Sequence, residues 1–384
     1  MKVNQIYQLI NSINKQMWGK NAISTNDLSG IISLGKTLEL DEDSADAYLG
    51  ALVDRIGKTV IRTLDVEVEF PNFIMDSFEF GAVLQKINVQ PQNAVSNSDW
   101  LVGTNGFTPT VLDIAKPTGV SVTYFKGATT WAYKVSIPST IFFTAFTSLE
   151  QMNSFIDAIM GALTDSMVMA INNMSRTALC NLIAEKFKNN GAVNLLALYN
   201  GDSETPLLVK DALKSKEFLR FANMIINNYI GYLEEPSALY NDGGMIRTTA
   251  RDNMHVIMLR DFVSSVKSYL YADSYNMEYV KLPMYKEVNH WQGSGTSVSF
   301  TSNSTVKVIP SSEEGEESPT TINQSGIIGV LADRQSIAIG INKRRVGKFV
   351  NDIDDVVTTK TSATIQYIND ITENCCVFYI ADSE

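Results

Sequence analysis

The longest continuous pattern of apolar and polar positions covers residues 148–190. Apolar residues recur there at steps of three or four, the spacing of one face of an α-helix. They are Met152, Phe155, Ile156, Ile159, Leu163, Met167, Ile171, Met174, Ala178 and Leu182. Ser148 followed by Gln151 matches a capping box at the start, and Gly191 is the expected left-handed residue at the end. The pattern predicts one helix about 60 Å long.

Such a helix is far longer than the mean of about 11 residues, so other layers of the protein must pack on it. The alternative is two core helices broken near Gly161 or residues 172–173. If the helix is unbroken, we expect Gly161 to permit close packing across it.

Strand patterns precede this helix. Residues 64–70 alternate with period two, residues 78–89 form a second strand, and residues 121–137 form one or two more, broken at 126–127. Residues 91–119 are rich in Gly, Pro and Asn, and a loop of this length inside a compact domain usually has a function. Two strands with no core of their own are marginal alone, so we expect another subunit to cover them.

The remaining patterns mix helices and strands. Residues 1–40 indicate an arm that starts with a short amphipathic helix. The other predicted helices are 41–58, 211–232 and 261–271; the predicted strands are 255–259, 327–333, 364–368 and 377–381; and residues 292–326 are a polar loop. This order predicts an α+β fold and no regular series of βαβ units.

Composition narrows the function. The chain has 384 residues and a net charge of −11, which argues against a nucleic-acid binder that neutralises phosphates. No signal segment opens it and no apolar run reaches the roughly 20 residues of a membrane span. Three cysteines without CxxC spacing indicate buried thiols, and two histidines leave little material for metal sites or triads. We therefore assign no catalytic, cofactor-binding or metal residue and expect no membrane partner.

One motif resembles a phosphate-binding loop. Residues 30–37 match GxxxxGK[ST], which would make the chain a nucleotide-hydrolysing enzyme. The chemistry needs small loop residues after a strand, whereas Ile31, Ile32 and Leu34 are bulky and no strand precedes them.

Two sets of residues are candidates for contacts between subunits. The apolar residues near the tip of the long loop are Trp100, Leu101, Phe107, Val111, Leu112 and Ile114. The densest basic cluster is Lys343, Arg344, Arg345 and Lys348. This cluster is either a solvated turn or a partner for acids on a neighbouring subunit, where exposed pairs contribute about 0–1 kcal/mol each.

Four segments resemble one protein family. Residues 52–62 are similar to the start of the core in major capsid proteins of small short-tailed phages of Gram-positive bacteria. Residues 142–173 resemble the spine-helix region of those proteins, through Thr144, Ala145, Phe146, Phe155, Ile156, Ala158 and Ile159. Residues 247–277 resemble their strand and short helix, and residues 376–382 their closing strand.

The resemblance implies the capsid fold of tailed double-stranded-DNA phages, herpesviruses and encapsulin compartments. Carried over, the regions are an N-terminal arm (1–40), a peripheral domain (41–77, 139–200 with the spine helix, and 355–384), an E-loop, meaning an extended β-loop (78–138), and an axial domain (201–354).

The implied function is structural: a major capsid protein without enzymatic activity. It would assemble with itself into hexamers and pentamers of an icosahedral or prolate phage head. Its implied partners are a scaffolding protein, a portal protein and packaged double-stranded DNA without sequence-specific contacts. It would assemble in the host cytoplasm and reside in the virion. The alternatives are an encapsulin-like compartment shell and the nucleotide hydrolase.

Overall fold

The computed structural model describes most of the chain, in two compact units. The described residues are 3–19, 28–39, 47–48, 51–52, 68–75, 84–91, 119–125, 128–138, 148–201, 205–271, 285–292, 300–308, 321–351 and 356–382. Unit 1 comprises Met1–Phe80, Ala128–Ser175 and Ala338–Tyr367. Unit 2 comprises Gly81–Gly127, Arg176–Ile337 and Ile368–Glu384. The domain bounds that the resemblance implies stay a prediction.

Helices and strands alternate irregularly, as the α+β prediction requires. The described helices are α1 (Val3–Trp18), α2 (Leu28–Glu39), α3 (Leu149–Lys188), α4 (Leu195–Asn200), α5 (Val209–Ala212), α6 (Lys216–Glu234), α7 (Arg260–Val266) and α8 (Phe300–Asn303). The described strands are β1 (Ile74–Met75), β2 (Leu84–Val89), β3 (Val120–Phe125), β4 (Ala128–Pro138), β5 (Ala192–Asn194), β6 (Met254–Leu259), β7 (Lys286–Val288), β8 (Val306–Val308), β9 (Ile322–Gln324), β10 (Ile327–Asp333), β11 (Ile337–Asn351), β12 (Val356–Asn369) and β13 (Cys375–Tyr379).

Unit 1 contains a four-stranded sheet in the order β1-β11-β12-β4. β12 and β4 run antiparallel over eleven residue pairs, from Val356↔Pro138 to Gln366↔Ala128. On β4, Trp131, Tyr133 and Val135 are half-buried, while the alternate positions 132, 134 and 136 are exposed, so one face of this strand is better covered than the other.

Unit 2 contains a five-stranded sheet in the order β5-β13-β10-β6-β7. Its central strand β10 runs antiparallel to β13 and β6, and all seven of its residues are buried. Helix α6 packs an apolar stripe into the core beside this sheet, at helical spacing: Phe218, Leu219, Ala222, Ile226, Ile230 and Leu233. Ser215 caps that helix by accepting a hydrogen bond from the Phe218 amide at 3.3 Å.

The long helix α3 is a single 40-residue element, as the pattern predicts. The Gln151 amide donates to Ser148 Oγ at 3.1 Å, which confirms the start of the helix. Its length and composition would also suit a membrane span, but one such helix is weak support for a membrane protein. Its apolar stripe is buried within the chain, as in a core helix: Met152, Ile156, Ile159, Leu163, Met167, Ile171, Ala178 and Leu182.

The end of α3 differs from the prediction. The left-handed residue is Asn190, with φ of 53°, and Gly191 is not in that conformation. Asn tolerates this region because its short polar side chain can hydrogen-bond locally. Gly191 is needed for space instead, since a Cβ there would lie 3.1 Å from Lys186 Cδ.

The predicted N-terminal arm contains two described helices. Residues 30–37 lie inside α2, where Ile31, Leu34 and Leu38 are buried and Thr37 Oγ1 donates to the Ser33 carbonyl at 2.9 Å. Amide groups inside a helix bond to carbonyls four residues earlier and are not free to wrap phosphates. The structure therefore contradicts the phosphate-loop hypothesis.

The strand predictions have mixed outcomes. The division of residues 121–137 into two strands is confirmed, since β3 and β4 belong to different sheets, while the predicted break at residues 126–127 lies outside the described residues. The predicted strand over 64–70 is wrong where it is described, because residues 68–69 form bends and a 3-10 turn, Pro71–Phe73, follows Phe70. Phe70 and Phe73 stack there with ring centroids 4.8 Å apart, and this packing replaces a strand ladder. The polar region 292–326 contains α8 and the two short strands β8 and β9, which pair with each other.

We predict that the chain does not bind Mg-ATP with micromolar affinity, because the loop that would hold the phosphates is helical. Isothermal titration calorimetry of the wild type and of Lys36→Ala should give the same dilution heats. A micromolar binding isotherm that Lys36→Ala abolishes would contradict this assignment.

A second prediction compares the effect of a Gly→Ala substitution on stability at Gly161 and at Gly326. Among the described residues, no atom lies within 4 Å of a Cβ added to Gly161, so the expected close packing across α3 is not found. Gly161→Ala should therefore stabilise the chain by about 1 kcal/mol. Gly326 has φ of +80°, and a Cβ there would overlap the Ile380 carbonyl oxygen, so Gly326→Ala should destabilise it. Urea denaturation checks both signs, and a loss of stability in Gly161→Ala would show that the helix is packed at that point.

Candidate assembly surfaces

Strands β2 and β3 form an antiparallel hairpin at the base of the long loop 92–118, which lies outside the described residues. Paired residues point to the same side of such a hairpin. The pairs Ile87↔Val122 and Val89↔Val120 therefore share one face, and Lys86↔Thr123 belongs to the other.

The first face is apolar and exposed. Its members Ile87, Val89, Val120, Val122 and Tyr124 are between 42% and 60% exposed. Cross-strand pairs of this kind usually stabilise a sheet when they are covered. A contiguous apolar patch left in water marks an interaction site. We call this set the hairpin face.

The second face fixes the hairpin to the rest of unit 2 through ion pairs. Lys86 Nζ lies 2.6 Å from Asp370 Oδ2 and also pairs with Glu373 Oε1. Both carboxylates belong to the turn between β12 and β13 and are almost fully buried, with side chains 1% and 5% exposed. Arg247 adds a second cation, with Nη1 3.0 Å from Glu373 and Nε donating to the Thr372 carbonyl at 3.1 Å. Two cations therefore face two buried acids.

Burial makes this cluster sensitive to the loss of any member. Removal from water raises the pKa of Glu373, and Lys86 and Arg247 act in the opposite direction by stabilising the carboxylate. Asp370 also accepts from the Thr372 amide at 2.9 Å and from the Thr372 hydroxyl at 2.7 Å. A carboxylate left there without a cation would be costly, so the cluster holds β2 in one position.

Two further contacts tie the hairpin to the segment after α6. Gln90 Nε2 donates to the Gly244 carbonyl at 3.4 Å, and Ser121 Oγ lies 3.7 Å from Met245 Sδ. Gly119 has φ of +69°, and a Cβ there would come within 2.7 Å of Gln90 Oε1, so the start of β3 requires glycine.

The sequence-predicted contact residues are placed only in part. Trp100, Leu101, Phe107, Val111, Leu112 and Ile114 lie outside the described residues. Lys343, Arg344, Arg345 and Lys348 lie on β11, and the structure does not describe their side chains. All four residues lie in a strand and not in a turn, and their part in contacts between subunits stays a prediction.

Sequence reasoning missed both Lys86 and the hairpin face. Period-two alternation in β2 was the available signal, since Lys86 and Asn88 alternate with Ile87 and Val89. That pattern alone predicts that the apolar side turns inward. In the structure Asn88 is 5% exposed and Ile87 is 60% exposed, which is the reverse.

The described residues show no set of groups arranged for catalysis. Burial raises the thiol pKa of Cys180 and of Cys375 to about 12, and also raises that of Cys376, so these thiols stay protonated near neutral pH. Burial, aided by Arg334, lowers the pKa of His255 to about 4. In the described part of the chain, no group of three His, Cys, Asp or Glu residues is arranged to hold a metal ion.

Two solved structures with a similar fold come from phages. The capsid structure of Staphylococcus phage Andhra matches with a TM-score of 0.52 and 10% identity, covering 80% of this chain and 83% of the other. A chain in the structure of the head fiber and inner core protein gp22 of native bacteriophage P68 matches with a TM-score of 0.50 and 9% identity, covering 82% and 85%. At such low identity these matches show the fold alone. No curated protein sequence matches the chain.

A family model decides the identity. The model of the Phi29-like phage major capsid protein matches residues 10–379, nearly the whole chain. None of these matches points to an encapsulin compartment or to a nucleotide hydrolase. The chain therefore belongs to the Phi29-like phage major capsid protein family, and it is a structural, non-enzymatic component of the phage head shell.

Proposed function

We propose that the hairpin β2–β3 and the loop beyond it extend over a neighbouring copy of this chain when the shell assembles. The observation that carries the proposal is the orientation of the hairpin: its polar face is pinned by Lys86, and its apolar face is open to solvent. The hairpin lies within residues 78–138, the predicted E-loop. The same range also contains β4, which pairs with β12.

The hairpin face alone is too small to hold two copies together. Covering the exposed half of an Ile or Val side chain stabilises a contact by roughly 1 kcal/mol. Five such residues give a few kcal/mol, while association costs about 4–15 kcal/mol in lost rigid-body freedom. Further contacts are therefore needed, and the apolar residues of the loop, including Trp100 and Phe107, supply them in this proposal.

The arrangement suits closed rings. When a surface on one copy meets a different surface on the next, each copy gives one contact and receives one, and the series closes if the rotation allows. Hexamers and pentamers, the capsomers of an icosahedral or prolate head, are rings of this kind. A hairpin fixed rigidly to its own subunit gives every copy in the ring the same geometry.

The other proposed partners follow from the shell function and the charge. A chain with a net charge of −11 does not grip phosphates over its whole surface, so packaged double-stranded DNA would be enclosed without sequence-specific contacts. A separate scaffolding protein would set the shell size, and a portal protein would occupy one vertex. Assembly in the host cytoplasm is part of the same proposal.

One prediction of this proposal concerns the hairpin face. Ile87→Thr combined with Val122→Thr removes apolar surface but keeps β-branched side chains that suit a strand. The variant should keep its far-UV circular dichroism and its urea midpoint while losing assembled particles in sedimentation velocity. The matched control, Ile87→Val with Val122→Ile, should assemble. Normal shells from the threonine variant would contradict the proposal.

A further prediction concerns the ion pairs of Lys86 with Asp370 and Glu373. Lys86→Met leaves Asp370 and Glu373 buried with one cation fewer, which should cost about 3 kcal/mol, or less because Lys86 is one-fifth exposed. Hydrogen exchange at the β2 and β3 amides should accelerate more than exchange in β10. Adding Glu373→Gln should recover part of the loss, since the two groups interact directly, and Lys214→Met serves as the exposed control. Strictly additive losses would show that the pair is not coupled.

A further inference from the structure

The four-stranded sheet of unit 1 is basic within an acidic chain. Its strands β1, β4, β11 and β12 together have 42 residues, with six cations and no Asp or Glu. The six are Lys134, Lys343, Arg344, Arg345, Lys348 and Lys360. In proportion to the whole chain, a stretch of this length would hold four or five acids.

Two of the cations are placed directly against each other. Lys134 on β4 pairs with Lys360 on β12 in the antiparallel register, and both are exposed. In the part of the chain that the structure describes, no carboxylate lies within 4 Å of either ammonium group. Like charges directly opposite each other destabilise a sheet. Within the described residues no carboxylate offsets this repulsion, and an anion that covered the pair would relieve it.

The surface around the pair is rich in hydroxyl groups. The pairs on the same side are Ala132↔Ser362 and Ser136↔Thr358, and the two hydroxyls of the latter are hydrogen-bonded at 2.9 Å. No large apolar side chain interrupts this side of β4 between residues 132 and 136. Ammonium groups and hydroxyls donate to carboxylate oxygens. β11, on the other side of β12, adds four basic positions to the same sheet, two on each face, because successive residues of a strand alternate between faces.

The complementary surface lies on the first part of α3. Between Leu149 and Ser175 the helix carries Glu150, Asp157 and Asp165 and no Lys or Arg. All three acids are exposed. At 100° per residue they fall within about 80° of the helix circumference, and they span about 22 Å along it.

We propose that these two surfaces, the basic side of the sheet and the acidic side of α3, meet in one contact between two copies of the chain. The inference rests on the proposed function, because it adds a second contact to the assembly that the hairpin begins. Copies with a net charge of −11 repel each other, but a local contact within the Debye length of about 10 Å depends on nearby charges and not on the total. Two copies therefore repel each other in most orientations, but they attract each other when the basic side of the sheet faces the acidic side of α3.

Charge reversal on both sides tests the pairing. Lys134→Glu with Lys360→Glu should weaken self-association of the full chain about tenfold, and so should Glu150→Lys with Asp157→Lys. The quadruple variant, in which both surfaces are reversed, should recover to within about threefold of the wild type. Sedimentation velocity and static light scattering measure the association, and the second virial coefficient reports attraction or repulsion even when the chain stays monomeric.

A matched control removes the effect of net charge. Lys210→Glu with Lys214→Glu changes the net charge by the same amount at exposed positions of unit 2, and it should weaken association less than twofold. Raising the salt from 50 to 500 mM should weaken association of the wild type and strengthen that of either single-surface variant.

The outcomes separate this inference from the hairpin proposal. Failure of the quadruple variant to recover, while the hairpin threonine variant still loses assembly, overturns this contact and leaves the hairpin contact standing. Normal assembly of Lys134→Glu with Lys360→Glu, together with a loss of binding to labelled duplex DNA in fluorescence anisotropy, would also overturn it and would assign the basic side to nucleic acid.

Discussion

The turn Asp370–Asn374 is the point on which the organisation of unit 2 depends. Lys86 and Arg247 reach its buried carboxylates, the Asp370 amide donates to the Ser336 carbonyl at 2.8 Å, and the Asp333 amide donates to the Asn374 carbonyl at 2.8 Å. Thr249 links the side chains of Asp333 and Asn374. Because these groups are buried, each must be satisfied, and the geometry of the turn is fixed by the whole set.

That turn determines which way the hairpin β2–β3 faces. An amphipathic hairpin normally buries its apolar side in its own subunit. Here the ion cluster binds the polar side. The apolar side therefore stays exposed, and no described part of unit 2 buries it. Such a subunit leaves apolar surface exposed, and in the proposed assembly another copy covers it. The two faces of the hairpin would thus serve the stability of the monomer and association with another copy, respectively.

Charge is distributed on the same principle. The chain is acidic as a whole, yet the sheet of unit 1 carries cations only, and Lys134 and Lys360 face each other across two strands. Neither arrangement benefits an isolated chain. In the proposed contact between two copies, the basic side of the sheet would meet the acidic side of α3, and the repulsion between Lys134 and Lys360 would be relieved.

The sequence by itself determined the elements that depend on local spacing. The 40-residue helix α3, its start at Ser148 and the division of residues 121–137 into β3 and β4 all follow from periodicity, capping and turn residues that lie close together in the chain. The α+β class follows from the order of those elements, and the family from segments spread over most of the chain. The bulky residues at 31, 32 and 34 already argued against a phosphate loop.

Only the tertiary structure decided which surfaces those elements present. Lys134 and Lys360 are 226 residues apart, and Lys86 is 284 residues from Asp370, so no local pattern places either pair together. Alternation in β2 shows that the strand has two faces but not which one is buried, because that depends on the charges it meets. Non-local register and burial fix the candidate assembly surfaces, since a side chain's environment is set by its spatial neighbours and not by its neighbours in sequence.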